Sequence, residues 1–88
     1  MGVWLLTKDQ LSYPPYKLNI KDGDILAITT NITGLDVVHV GFVCWVGDTL
    51  HLLHASSVAK KVILDPQPMY DYSKNKRTHT GVRIISVL

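Results

Sequence analysis

Two runs of strand-forming residues, Val37–Val46 and Thr49–Ser56, meet at the dipeptide Gly47-Asp48. Long β-branched and apolar runs broken by a two-residue Gly-containing turn predict a β-hairpin with a fixed register. That register sets His39 opposite Ser56 and Gly41 opposite His54. Side chains alternate along a strand, so His39, Gly41, Val43, Trp45, Leu50, Leu52, His54 and Ser56 share one face. His39 and His54 become diagonal neighbours, with Cβ atoms roughly 5–8 Å apart. Gly41 carries no side chain and leaves room for the two rings to meet. Cys44 and His51 face each other on the reverse side, and a one-residue slip in the turn would exchange the two groupings.

Two histidines so placed suit nucleophilic chemistry, in which a histidine base needs a second polar group to fix its tautomer and orientation. Two other readings of the hairpin stand beside this one. Both rings can be ordinary hydrogen-bonded sheet residues, or they can form a metal pair, although two ligands fall short of a usual zinc site. Cys44 is the one thiol in the chain. Parity puts it on the wrong face from His39, and Val43 and Trp45 supply no positive charge to lower its pKa. It reads as a structural cysteine. Ser56 and Ser57 can hydrogen-bond near the site, but neither sits on a nucleophile elbow of the Gly-x-Ser-x-Gly kind.

Around the hairpin, Ile25–Thr30 reads as a buried strand after the turn Lys21-Asp22-Gly23-Asp24, in which Gly23 is free to take positive φ. Val62–Leu64 reads as a short strand stopped by Asp65-Pro66-Gln67-Pro68. Met69–Lys76 can make one or two helical turns, and Gly81–Leu88 a last strand. Residues 1–21 read as an irregular segment, since Ser12-Tyr13-Pro14-Pro15-Tyr16 cannot continue a helix. Residues 22–88 then form one α+β, strand-dominated domain. Its roughly five strands are joined mostly by short turns, hence mainly antiparallel, in a small sheet or partial barrel.

With 88 residues the chain makes one domain, and one so short buries roughly 60–65% of its unfolded surface. It is 47% hydrophobic and only 18% charged, which is apolar for its size and implies a face meant for another domain, subunit or segment. The net charge of +2 is diffuse; its one basic cluster, Lys74-Asn75-Lys76-Arg77, reads as a solvated loop, so nucleic acid is not an expected partner. No run approaches the ~18 apolar residues of a membrane span. Met1-Gly2 opens like a myristoylation signal, but Leu6 stands where Ser or Thr is wanted. Asn31-Ile32-Thr33 fits a glycosylation sequon, a pattern common by chance. No cofactor is implied.

Gly23-Asp24-Ile25-Leu26, then His39-Val40-Gly41-Phe42, then Leu53-His54-Ala55-Ser56-Ser57, resemble in order and spacing the NlpC/P60 superfamily of papain-like peptidoglycan hydrolases. The likeness is to its N-acetylmuramoyl-L-alanine amidase-like branch, DUF1460, and specifically to the C-terminal β half. Ile28–Asp36 and the tail from Tyr70-Asp71-Tyr72 to His79-Thr80-Gly81-Val82-Arg83 look like the same branch. The resemblance implies that His39 matches the base and His54 the residue that orients it. It implies a cysteine hydrolase acting on γ-D-glutamyl or N-acetylmuramoyl-L-alanine amide bonds, with peptidoglycan or muropeptide as substrate and a periplasmic or extracellular setting for the whole protein. In that family the nucleophilic cysteine begins a helix well upstream of the histidine strand. Only 38 residues precede His39 here, none of them cysteine. The chain alone is therefore expected to be inactive, with self-association or a missing N-terminal half covering the face of His39, Val43, Trp45, Leu50 and Leu52. The alternative function is a non-enzymatic small β-barrel that binds glycan or peptide through Trp45, Tyr13 and Tyr16.

Overall fold

The computed structural model describes residues 2–14, 17–57 and 59–86. It contains β1 (Val3–Thr7), a 3-10 helix (Asp9–Ser12), β2 (Ile25–Thr30), β3 (Val37–Val46), β4 (Thr49–Ser56), β5 (Lys61–Pro68), α1 (Met69–Ser73) and β6 (His79–Ile85). The six strands form one open sheet in the order β1-β6-β2-β3-β4-β5, with every neighbouring pair antiparallel.

Strands β2, β3 and β4 run between the residues their composition predicts. Gly47 takes a positive φ of 61° in the hairpin turn, and the β3–β4 register follows from it: Val43 pairs with Leu52 and Cys44 with His51. The N-terminal segment departs from expectation, because Val3–Thr7 is a strand paired with β6 rather than irregular chain. Its partners lie near the other end of the sequence, so no local pattern announces it. β5 also continues past Leu64 through both prolines. An edge strand tolerates proline, since one side of it has no ladder to supply. Pro15, Tyr16, Val87 and Leu88, on which parts of the expected extended segment and last strand fall, lie outside the described residues, as does Met1.

The face expected to need a partner is covered from within. Val43, Leu50 and Leu52 are almost fully buried, packed with Leu11 of the 3-10 helix, with Leu18 and Ile20, and with Met69 of α1. Trp45 is half-buried against the same cluster. Its backbone N–H donates to Asp22 Oδ1 at 2.6 Å and its Nε1–H to Ile20 O at 3.2 Å, which ties the turn before β2 to the hairpin. Helix α1 is a single turn that follows Pro68. Met69 and Ser73, four residues apart, lie on one side of it and are both buried. The opposite face of the sheet is the apolar open one, with Leu5 and Val62 70% and 66% exposed.

Register shifts interrupt the ladder at three points: between Ile28 and Thr29 opposite β3, between Thr29 and Thr30 opposite β6, and between His51 and Leu53 opposite β5. They border His39, His79 and the segment around Asp65. Such irregularities re-aim side chains, and they recur next to functional sites.

Candidate functional site

His39, half-buried near the start of β3, and His54, buried on β4, point to the same face. His39 Nε2 lies 2.7 Å from His54 Nδ1, with the rings edge-on at 88°. Gly41 makes this approach possible. A Cβ there would stand 2.6 Å from Leu53 O, 2.6 Å from Leu52 Cδ1 and 3.1 Å from His54 Cβ.

The sequence reading missed the third member, Asp65. Read as the stop of a short strand, it instead lies within β5. His54 pairs with Ile63, so Asp65, two residues on, shares the histidine face. His54 Nε2 is 2.9 Å from Asp65 Oδ2. The other carboxylate oxygen, Oδ1, accepts the backbone N–H of Gln67 at 2.9 Å, and Asp65 O accepts His51 Nδ1–H at 2.9 Å. The signal was present in the period-2 spacing Ile63, Asp65, but the flanking prolines argued against a continuing strand.

The order of protons follows from donor and acceptor chemistry. An ionised carboxylate only accepts, so His54 carries its proton on Nε2 and donates it to Asp65. Neutral His54 then has a lone pair on Nδ1, which accepts His39 Nε2–H. His39 is left with its lone pair on Nδ1, the one nitrogen of the relay not engaged in it. Burial lowers the pKa of His39 below the ordinary histidine value, and the neighbouring His54 lowers it further. Burial, the larger effect, favours an unprotonated Nδ1 near neutral pH, and the repulsion from His54 adds to it only once His54 is itself protonated.

Tyr72, at the end of α1, closes the cluster. Its ring meets His54 edge-on with centroids 5.9 Å apart and stacks on His79 at 6.0 Å. Burial raises the pKa of its phenol, and the charge of Asp65 raises it further. His79 Nδ1 lies 2.9 Å from the buried Ser73 Oγ, which fastens α1 to β6. Burial lowers the His79 pKa, with smaller contributions from Lys76, Lys8 and His39. Lys76 sits 3.9 Å from the centre of the Tyr72 ring and donates to Tyr72 O, while Lys8 Nζ donates to Lys76 O. The basic loop Lys74-Asn75-Lys76-Arg77 is exposed throughout, as its composition predicts, and only Lys76 leans back over the Tyr72 ring.

Other candidates are not drawn in. Cys44 lies on the reverse face, paired in register with His51. Ser56 Oγ accepts the N–H of Ala59 in the following turn. Tyr13 is exposed with Lys17 over its ring, and Tyr16 lies outside the described residues. Among the described residues no three His, Cys, Asp or Glu side chains are placed to hold a metal ion, and no helix is long and apolar enough to cross a membrane.

Comparison with solved structures finds the same fold. An N-acetylmuramoyl-L-alanine amidase from Bacteroides uniformis is 42% identical with a TM-score of 0.82, over 93% of this chain and 34% of its own. A Bacteroides fragilis protein provisionally described as a xylanase is 43% identical with a TM-score of 0.80, over 91% of this chain and 34% of its own. The chain thus spans about a third of the length of these relatives. No curated protein matches. The profile of the AmiA-like family, described as N-acetylmuramoyl-L-alanine amidase-like, matches residues 6–82, and the chain belongs to that family.

Proposed function

We propose that this domain is the base-bearing part of a cysteine amidase that cleaves amide bonds of peptidoglycan, with His39 as general base, His54 as the residue that orients it and Asp65 as the anchor of the relay. The 2.7 Å contact between His39 Nε2 and His54 Nδ1 carries the reading. It leaves His39 Nδ1 as the basic atom. A thiol brought to that nitrogen transfers its proton to it, and the thiolate attacks the amide carbonyl carbon. His39 then returns the proton to the departing amine as the C–N bond breaks, and water releases the acyl group by the same exchange. Cys44 is on the other face of the sheet, so the thiol comes from polypeptide beyond this hairpin.

The two names among the relatives imply different chemistry, and the site favours one of them. A glycosidase of the usual kind works with two carboxyl groups across the scissile bond. Here the one carboxylate in the cluster, Asp65, is engaged by His54 and Gln67. A histidine with a poised nitrogen fits acyl transfer. The aromatic-binding alternative draws no support from Trp45, whose indole N–H is bonded to Ile20 O.

The test is a chimera in which this chain replaces the matching third of the Bacteroides uniformis amidase. It is expected to cleave N-acetylmuramoyl-L-alanine amides. His39→Ala should lower kcat/KM by about 10²- to 10⁴-fold, the usual worth of a general base. A folded chimera without activity, or one indifferent to His39→Ala, would overturn the assignment.

A further inference from the structure

The face of the sheet opposite the histidines carries one register row that crosses all six strands without a polar residue. Val3 pairs with Ile85, Ile85 with Ile25, Ile25 with Phe42, Phe42 with Leu53, and Leu53 with Leu64. Phe42 is 49% exposed and Leu64 44%. Leu5, Val40 and Val62 flank the row and are more exposed still. At 4.7–4.9 Å between strands the row is about 24 Å long, and a monomer rarely leaves so continuous an apolar surface uncovered. One charge interrupts its surroundings. Arg83, in the row beside it, lines a concavity of about 330 Å³ with Leu5, Thr7 and Thr29 and has no carboxylate partner among the described residues.

We infer that this row is the seat of an amphipathic helix, supplied by the part of the family's longer polypeptides that lies outside this domain. That helix presents an apolar stripe to Phe42 and a carboxylate to Arg83. Its length follows from the row: about 16 residues span 24 Å at 1.5 Å per residue. Its origin follows from the relatives, in which the part that matches this chain makes up only 34% of the length. The apolar row with a lone cation beside it sets its chemistry, since an unpaired guanidinium at the rim of a dry contact selects an acidic partner. His39 and His54 are on the other face, so this contact is structural and separate from the base.

Labelled overlapping peptides from the Bacteroides uniformis amidase, taken from outside the matching third, are titrated with the 88-residue chain. A peptide with an apolar stripe and an acidic residue is expected to bind. Phe42→Glu should weaken it by about tenfold or more, as loss of a central anchor does. Arg83→Glu should do the same, and removing the peptide's acid should add nothing further to that variant. Lys74→Glu, just past α1, should leave binding unchanged. Leu5→Lys, on an edge strand, serves as a second probe should Phe42→Glu fail to fold. His39→Ala should bind normally, which separates failure here from failure of the catalytic assignment. The inference is overturned if no such peptide binds, if binding ignores Phe42→Glu and Leu5→Lys, or if the chain pairs with itself through this row and excludes the peptide.

Discussion

Asp65 and His39 do not touch, yet the carboxylate of one determines which nitrogen of the other is basic. His54 lies between them, 2.9 Å from Asp65 Oδ2 and 2.7 Å from His39 Nε2. Each bond fixes the direction of the next. In Asp65→Asn the side-chain amide can donate to His54 Nε2, which moves the His54 proton to Nδ1 and obliges His39 Nε2 to accept. His39 Nδ1 then carries the proton and the base is lost. Imidazole ¹⁵N shifts of the 88-residue chain should report the exchanged tautomers, and kcat/KM of the chimera should fall by about 10²- to 10⁴-fold. Unchanged tautomers in Asp65→Asn would disprove the relay.

The same lowered pKa values make folding sensitive to mild acid. His39 and His79 both titrate below their ordinary histidine value of about 6.5 in the folded chain, chiefly through burial. The unfolded chain therefore binds more protons between each folded pKa and 6.5, and stability rises with pH across that window. The contribution is present above 6.5 and is lost as pH falls through the folded values. Thermal unfolding should show a Tm that drops from pH 7 to pH 5, and a His79→Gln variant should show a shallower drop. A Tm independent of pH over that range would contradict both assignments.

How much of this was legible in the sequence varies from element to element. The Gly47-Asp48 turn fixed a register, and parity then placed His39 beside His54, because a two-residue hairpin leaves a single pairing. Asp65 was hidden because its role depends on β5 joining the sheet at an edge, where Pro66 and Pro68 are tolerated and where local pattern points instead to a stop. β1 was hidden because a five-residue strand draws its stability from β6, some eighty residues away. The apolar excess of the composition was real, but its face was misplaced. Leu11 of the 3-10 helix, Leu18, Ile20 and α1 cover the histidine side, and whether an irregular segment covers one face or the other is a tertiary outcome that alternation along a strand does not encode.

Gly41 is where the site and the stability of the hairpin meet. In Gly41→Ala the new Cβ would meet the backbone oxygen of Leu53, which cannot move aside without breaking the sheet. Overpacking of this kind costs typically about 1–3 kcal/mol. Gly23→Ala is the control: nothing stands within 4 Å, and the penalty there comes only from its φ of 88°, about 1 kcal/mol. Urea unfolding should rank Gly41→Ala as the more damaging, and His39 and His54 resonances should shift in that variant alone. An unperturbed Gly41→Ala would mean that the strands do not approach closely at the histidines.

Tyr72 reports the charge of Asp65 from the other side. Burial raises its phenol pKa, and the Asp65 carboxylate adds to the rise, since a second negative charge nearby disfavours the phenolate. Asp65→Asn removes that charge and leaves the burial in place. Ultraviolet titration of the tyrosines should therefore show one group that ionises late in the native chain and moves part of the way back toward the ordinary value in Asp65→Asn. Tyr72→Phe should remove that late group. It should leave the His54 tautomer as it is, because the ring contacts His54 through its edge and the relay itself passes through Asp65. A late group that ignores Asp65→Asn would place the carboxylate away from Tyr72 and dissolve the cluster into separate contacts.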